Sequence, residues 1–175
     1  MIQNRAMQGP DLVNNEQNRN LARWHNWPGS DLQLDNTNPT LSAALPYQMS
    51  VAVPAGTTGT TGMWNEGFVG FNVTSATRYS ASFWLRGTFH GNMEGAFWSN
   101  TTGGKLASTT FSVSQDESQG WIHYAQVFTV PQSAPDHKNT FHLTFDAGLV
   151  AGRKIYVNMV SVWQQTFKDG KLRSK

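Results

Sequence analysis

Tyr79-Ser80-Ala81-Ser82-Phe83-Trp84-Leu85-Arg86 decides the fold class. Its residues Tyr79, Ala81, Phe83 and Leu85 alternate strictly with Ser80, Ser82, Trp84 and Arg86. A period of two belongs to a strand that buries one face. The following run repeats it, with Met93, Gly95 and Phe97 on one side and Glu94, Ala96 and Trp98 on the other. In both strands an indole falls on the polar side. Paired with each other, which is the expectation here, the two strands form a polar sheet face carrying Trp84 and Trp98, flanked by Arg86 and Glu94.

Such a face suits a sugar ring. The C–H face of a pyranose or furanose packs on an aromatic plane, and its hydroxyls need donors and acceptors at the edge. Arg86 and Glu94 are candidate polar partners, and a cross-strand ion pair between them is the plain alternative. His90 and Trp64 are placed in or near loops, as candidates for the edge of a cleft. Trp121 is expected in the core, because large aromatics are mostly buried.

Outward from this stretch, short apolar runs recur with Gly, Pro, Asn and Asp in the gaps. Strands are expected near Gln3 to Gln8, Asp31–Leu34, Tyr47–Val53, Gly62–Val73, Tyr79–Thr88, Asn92–Trp98, Leu106–Val113, Trp121–Val130, Thr140–Phe145 and Lys154–Trp163. No long helical pattern competes. Charged residues make up only 14% of the chain, which agrees with a turn-rich all-β protein. The expected architecture is a jelly-roll-like β-sandwich of two antiparallel sheets. It forms one domain over residues 1–175, with a loosely packed N-terminal segment (1–20) and a polar tail (168–175).

A net charge of +2 excludes an electrostatic nucleic-acid partner, and its excess sits largely in Lys168, Lys171, Arg173 and Lys175. The absence of cysteine excludes disulfides. No run reaches membrane-spanning length, so no membrane partner is expected, and the N-terminus has no signal-peptide apolar core. Gly103-Gly104-Lys105 lacks the other residues of a phosphate loop. Asn72-Val73-Thr74 and Asn100-Thr101-Thr102 are N-glycosylation sequons, which make Asn72 and Asn100 candidate glycan acceptors.

Several segments together carry a family resemblance. Ile2-Gln3-Asn4-Arg5-Ala6-Met7-Gln8-Gly9 resembles the "IQNRAFQG" strand of fungal α-L-arabinofuranosidases of glycoside hydrolase family 51. Asp35-Asn36-Thr37-Asn38-Pro39 with Ser42-Ala43-Ala44-Leu45-Pro46 is similar to their "DTTNPLSSALP" loop. Asn65-Glu66-Gly67-Phe68-Val69-Gly70-Phe71 resembles "NEGYWGI", and the stretch from Asn139 to Ala147 resembles "NTFSLTFDA". The closing Val160–Asp169 run is similar to "ISLFPPTFKDR".

The resemblance implies a β-sandwich of the carbohydrate-binding-module family 4/9 type, placed before a (β/α)₈ barrel that holds the catalytic glutamates. It further implies a secreted, non-catalytic domain that binds plant cell-wall polysaccharide (xylan, arabinoxylan or arabinan). The alternative is a structural domain that packs against the hydrolase barrel and binds no sugar. Glycoside hydrolysis needs two facing carboxyls, about 5 Å apart for retention. Glu66, Glu94 and Glu117 show no such pairing in the sequence.

Modules of this type often hold structural calcium near the chain ends. Gln8 and Asn158 stand at plausible ligand positions without charge, so calcium is not favoured and no metal ligand is assigned, although Asp146 has the right chemistry. The sequence also departs from the family. Val69 stands where tryptophan is usual, Gln164-Gln165 replaces Pro-Pro, and Trp84 and Trp98 stand where relatives often carry smaller or polar residues.

Overall fold

The computed structural model describes residues 1–7 and 21–165. Ten strands run through them: β1 (Trp24–Asn26), β2 (Asp31–Asp35), β3 (Gln48–Val53), β4 (Thr60–Asn65), β5 (Arg78–Arg86), β6 (Phe89–Ser99), β7 (Lys105–Gln115), β8 (Ile122–Thr129), β9 (Asn139–Asp146) and β10 (Arg153–Gln164). Two single turns of 3₁₀ helix, Glu117–Gln119 and Ala147–Leu149, are the helical elements among the described residues. The strands form two antiparallel five-stranded sheets. Sheet A has the order β1-β4-β9-β6-β7, and sheet B the order β2-β3-β10-β5-β8. The protein is an all-β, jelly-roll-like sandwich.

Alternation builds the core as the sequence implied. Tyr79, Ala81, Phe83 and Leu85 of β5 face Met93 and Phe97 of β6 and Phe141, Leu143 and Phe145 of β9, and all are buried. Phe97 lies at the centre, with ring contacts to Phe71, Tyr79, Phe128 and Phe141. In β10 a bulge after Asn158 puts Met159 at φ 49°, which returns Val160 and Val162 to the core side after Ile155 and Val157.

The expected β5–β6 pairing is not formed. Only β2–β3 and β6–β7 follow one another within a sheet, and every other link crosses the sandwich. The β5–β6 link is such a crossing. Gly87 turns there at φ +115°, packed so closely that a Cβ would sit 3.2 Å from the Ile155 backbone. The buried Gln115 amide donates to the Leu85 and Gly87 carbonyls at 3.2 and 3.1 Å, which fixes the corner. Trp84 and Arg86 therefore face outward from sheet B, whereas Trp98 and Glu94 face outward from sheet A. No Arg86–Glu94 pair exists. Arg86 binds Glu117 at 2.9 Å, and Glu94 binds Lys105 at 2.8 Å.

Other expectations also need correction. Residues Gln3–Met7 form turns with Asn4 and Met7 at positive φ, not a strand, while Gln8 lies outside the described residues. Of the segment expected to be loosely packed, residues 8–20 lie outside the described residues, whereas Ile2 and Met7 are buried in the core and Gln3 exchanges two backbone hydrogen bonds with the Asn65 side chain. The polar tail also lies outside the described residues. The Gly62 strand stops at Asn65, where Gly67 and Gly70 adopt positive φ. Trp121 is not a core residue. It is half-buried beside sheet B, with its indole N–H donating to the Pro39 carbonyl. Trp64 and His90 lie within β4 and β6, not in loops.

Candidate functional site

The outer face of sheet A gathers a cluster of three indoles and two imidazoles outside the core. Register places His25 of β1, Trp64 of β4 and His142 of β9 side by side, with Ala96 of β6 next in the row. Ala96 has no bulk, so Trp98, one step along β6, leans onto His142. The result is a pile of rings across four strands. His25 stacks on Trp64 at 4.0 Å and 17°, Trp64 lies 5.9 Å from His142, and His142 stacks on Trp98 at 5.4 Å and 16°. Trp27, whose backbone N–H donates to the Gly62 carbonyl, meets His142 edge-on at 5.0 Å and tilts toward Trp98 at 6.2 Å.

This geometry limits what each ring offers. Rings within the pile spend their faces on one another and turn their edges outward. Trp98 ends the pile, and among the described residues no second ring lies parallel to it. The three indoles and His25 remain half-buried, so the cluster reaches solvent instead of vanishing into the core.

Polar groups surround the rings. Both Glu94 oxygens lie 2.8 Å from the Lys105 ammonium, which is the register partner of Trp98 across β7. Glu66 binds Arg23 at 3.0 Å, with His25 at 3.6 Å. Thr140 and Thr144 share the face with His142. His142 is the most confined of these groups, only 8% exposed, and its Nε2 lies 2.7 Å from the Thr140 hydroxyl. Its Nδ1 is buried with no hydrogen-bond partner among the described residues. Desolvation lowers its pKa to about 4, so the imidazole is neutral at pH 7.

Of the residues singled out from sequence, Trp64, Trp98 and Glu94 come together here. His90 shares the face but lies toward its far end, bonded to Ser114 and Asp116 at 3.1 Å each. Trp84 and Arg86 belong to the opposite sheet. Sequence reading missed His25, Trp27, His142 and Lys105 as members of the cluster. The alternation of Trp24, His25, Asn26 and Trp27 was the available signal for the first two, in a strand only three residues long. Asn72 and Asn100 are both exposed.

Of the positions considered for calcium, Gln8 lies outside the described residues, and Asn158 and Asp146 carry other hydrogen bonds. Asn158 is fully buried, with its amide donating to the Tyr47 carbonyl and its oxygen accepting from the Met159 N–H. The Asp146 carboxylate accepts from the Gly148 N–H. Among the described residues no group of three or more His, Cys, Asp or Glu converges on a metal position. Nor do Glu66, Glu94 and Glu117 face one another. Each is engaged with a different cation, Arg23, Lys105 and Arg86.

No protein-family profile matches the chain. A protein described as a probable α-L-arabinofuranosidase A of Aspergillus terreus is 31% identical over 169 residues, covering 97% of this chain and 25% of that protein. A solved arabinose-bound GH51 α-L-arabinofuranosidase superposes with a TM-score of 0.80 at 31% identity, over 97% of this chain and 27% of that one. A solved CBM4 structure shares the fold at a TM-score of 0.56 and 16% identity, over 81% of this chain and 94% of the module. The chain thus spans about a quarter of the length of the arabinofuranosidases it matches. Over nearly all of its length, this chain is homologous to a β-sandwich region of the fungal glycoside hydrolase family 51 α-L-arabinofuranosidases.

Proposed function

We propose that this domain is a non-catalytic carbohydrate-binding module for a plant cell-wall polysaccharide of the xylan, arabinoxylan or arabinan class. The observation that carries the reading is the cluster of half-buried Trp27, Trp64, Trp98 and His25 around the buried His142 on one sheet face, bordered by Glu94, Lys105 and Thr144. Trp98 supplies the stacking plane, and the Glu94–Lys105 pair supplies an acceptor and a donor for ring hydroxyls. His90 is a peripheral contact for a longer chain. The CBM4 likeness supports the architecture, and homology to a glycosidase supports a polysaccharide partner and a hydrolase catalytic domain as companion.

The separate engagement of Glu66, Glu94 and Glu117 supports a role without hydrolysis. Secretion and glycosylation at Asn72 and Asn100 accompany this reading. Asn100 lies two residues beyond Trp98, so a glycan there would border the binding face. Among the described residues no helix is long and apolar enough to cross a membrane.

Binding through one or two rings and a few hydrogen bonds gives a dissociation constant on the order of 0.1 mM, or about −5.5 kcal/mol. Affinity electrophoresis in gels cast with arabinoxylan or arabinan tests it. Wild type is retarded, Trp98→Ala is not, and Trp84→Ala runs as wild type. Folded wild type that migrates freely on every polymer overturns the proposal.

A second reading rests on Phe68 and Val69, each 71% exposed in the turn after β4. Adjacent apolar side chains held out in this way favour a domain that packs against a hydrolase barrel. Free migration on every polymer, with tight association to a separately produced barrel that Phe68→Ser abolishes, would select it.

A further inference from the structure

The outer face of sheet B holds a guanidinium whose best hydrogen-bonding edge is unused. Arg86 is only 4% exposed although it faces away from the core. The Tyr156 ring lies flat against it, 3.7 Å from Cζ, and the Trp121 indole is 5.6 Å away. Nη1 donates to Glu117 at 2.9 Å. Nε and Nη2 are buried and have no hydrogen-bond partner among the described residues. These two nitrogens lie on one side of the guanidinium, and their N–H groups form the parallel pair that matches a carboxylate in two-point fashion. Leaving buried donors unpaired is costly, and stacking on Tyr156 offsets that cost only in part.

The surroundings define the anion. Trp84, next along the same face of β5, is half-buried and lies 5.0 Å from the His123 ring. The Trp121 ring stands beside the guanidinium, its indole N–H donating to the Pro39 carbonyl at 3.0 Å. Two indoles beside a planar fork suit a sugar ring that bears a carboxylate. Arg86 already meets Glu117 at 2.9 Å and Lys154 meets Asp35 at 3.8 Å, so recognition rests on the two-point fork, which fits one carboxylate, and not on surplus positive charge. The Glu117 side chain that shares Arg86 is itself 56% exposed.

We infer that Arg86, Trp84 and Trp121 form a second glycan site, on the sheet opposite the Trp98 cluster, which takes the carboxylate of a uronic acid residue. The carboxylate occupies Nε and Nη2 as the Trp121 indole moves off, and the sugar ring packs on Trp84. This site is independent of the one proposed above.

NMR titration of the full chain with methyl β-D-glucuronoside, methyl β-D-glucoside and sodium acetate tests it, with the Trp84 and Trp121 indole N–H resonances as readout. The glucuronoside shifts both resonances. The glucoside shifts neither, and acetate binds at least tenfold more weakly. Arg86→Lys keeps the charge but loses the fork, and weakens the glucuronoside at least tenfold. Trp84→Ala weakens it at least fivefold, which decides the matter should the lysine variant not fold. Trp98→Ala leaves it unchanged, separating failure here from failure of the first site. Equal shifts with the glucoside, acetate as effective as the glucuronoside, or undiminished binding in Trp84→Ala would each overturn the inference.

Discussion

The Trp98 indole and the His142 imidazole lie face to face, with centroids 5.4 Å apart and planes 16° from parallel. This contact closes one side of the indole and takes most of the imidazole out of water. The stack orients the indole proposed above as the sugar platform and, together with Trp27 and Trp64, encloses the imidazole.

The buried His142 makes stability depend on pH. Desolvation lowers its folded pKa to about 4, against an ordinary value of 6.5, so the unfolded chain binds the proton more readily. Stability is highest above pH 6.5, falls between 6.5 and 4, and loses nothing further from this group below 4. The loss is on the order of 2–3 kcal/mol. Urea unfolding at pH 7 and pH 4.5 measures it, and His142→Gln removes that share of the difference. An unchanged pH difference in the variant contradicts the assignment.

Glu94 and Lys105 are both partly exposed, so their ion pair contributes little to folding. Glu94→Gln is expected to change stability by less than about 0.5 kcal/mol. The same change weakens retardation by polysaccharide several-fold, because a hydroxyl acceptor next to Trp98 loses its charge. Parallel thermal melts and affinity gels separate the two effects.

Phe97 is fully buried among four aromatic rings. Phe97→Ala leaves a cavity that these rigid neighbours cannot fill, at a cost of about 3–5 kcal/mol. Denaturant midpoints report it. A cost below 1 kcal/mol means that the core does not close around this ring.

Gly70 adopts φ +81°, and a Cβ there would run into the His137 carbonyl oxygen. Gly70→Ala combines strain with a backbone clash, so a loss of about 2–4 kcal/mol is expected. Gly103 has φ +66° but open space around it. Its alanine variant costs only the strain, about 1 kcal/mol, and calorimetry on the two variants compares them.

Apolar runs between turn residues located nine of the strands, and period-two alternation gave the inward residues of β5 and β6, because a half-buried strand writes its face into the chain one residue at a time. Tyr79, Ala81, Phe83 and Leu85 needed no partner to be read. The three-residue β1 is too short to show a period, so His25 and Trp27 were missed. Their neighbours in the cluster lie about 40, 70 and 115 residues away along the chain.

The inward residues of β5 and β6, the all-β class and the family resemblance were determined by the sequence alone. Tertiary structure decided which outward residues share a face. Trp84 and Trp98 carry the same local signature, yet the corner at Gly87 sends their strands to opposite sheets. Alternation fixes the side of a strand, whereas the neighbour of a strand depends on contacts between distant segments. The pile of Trp64, His142 and Trp98, like the unpaired edge of Arg86, arises only from those contacts.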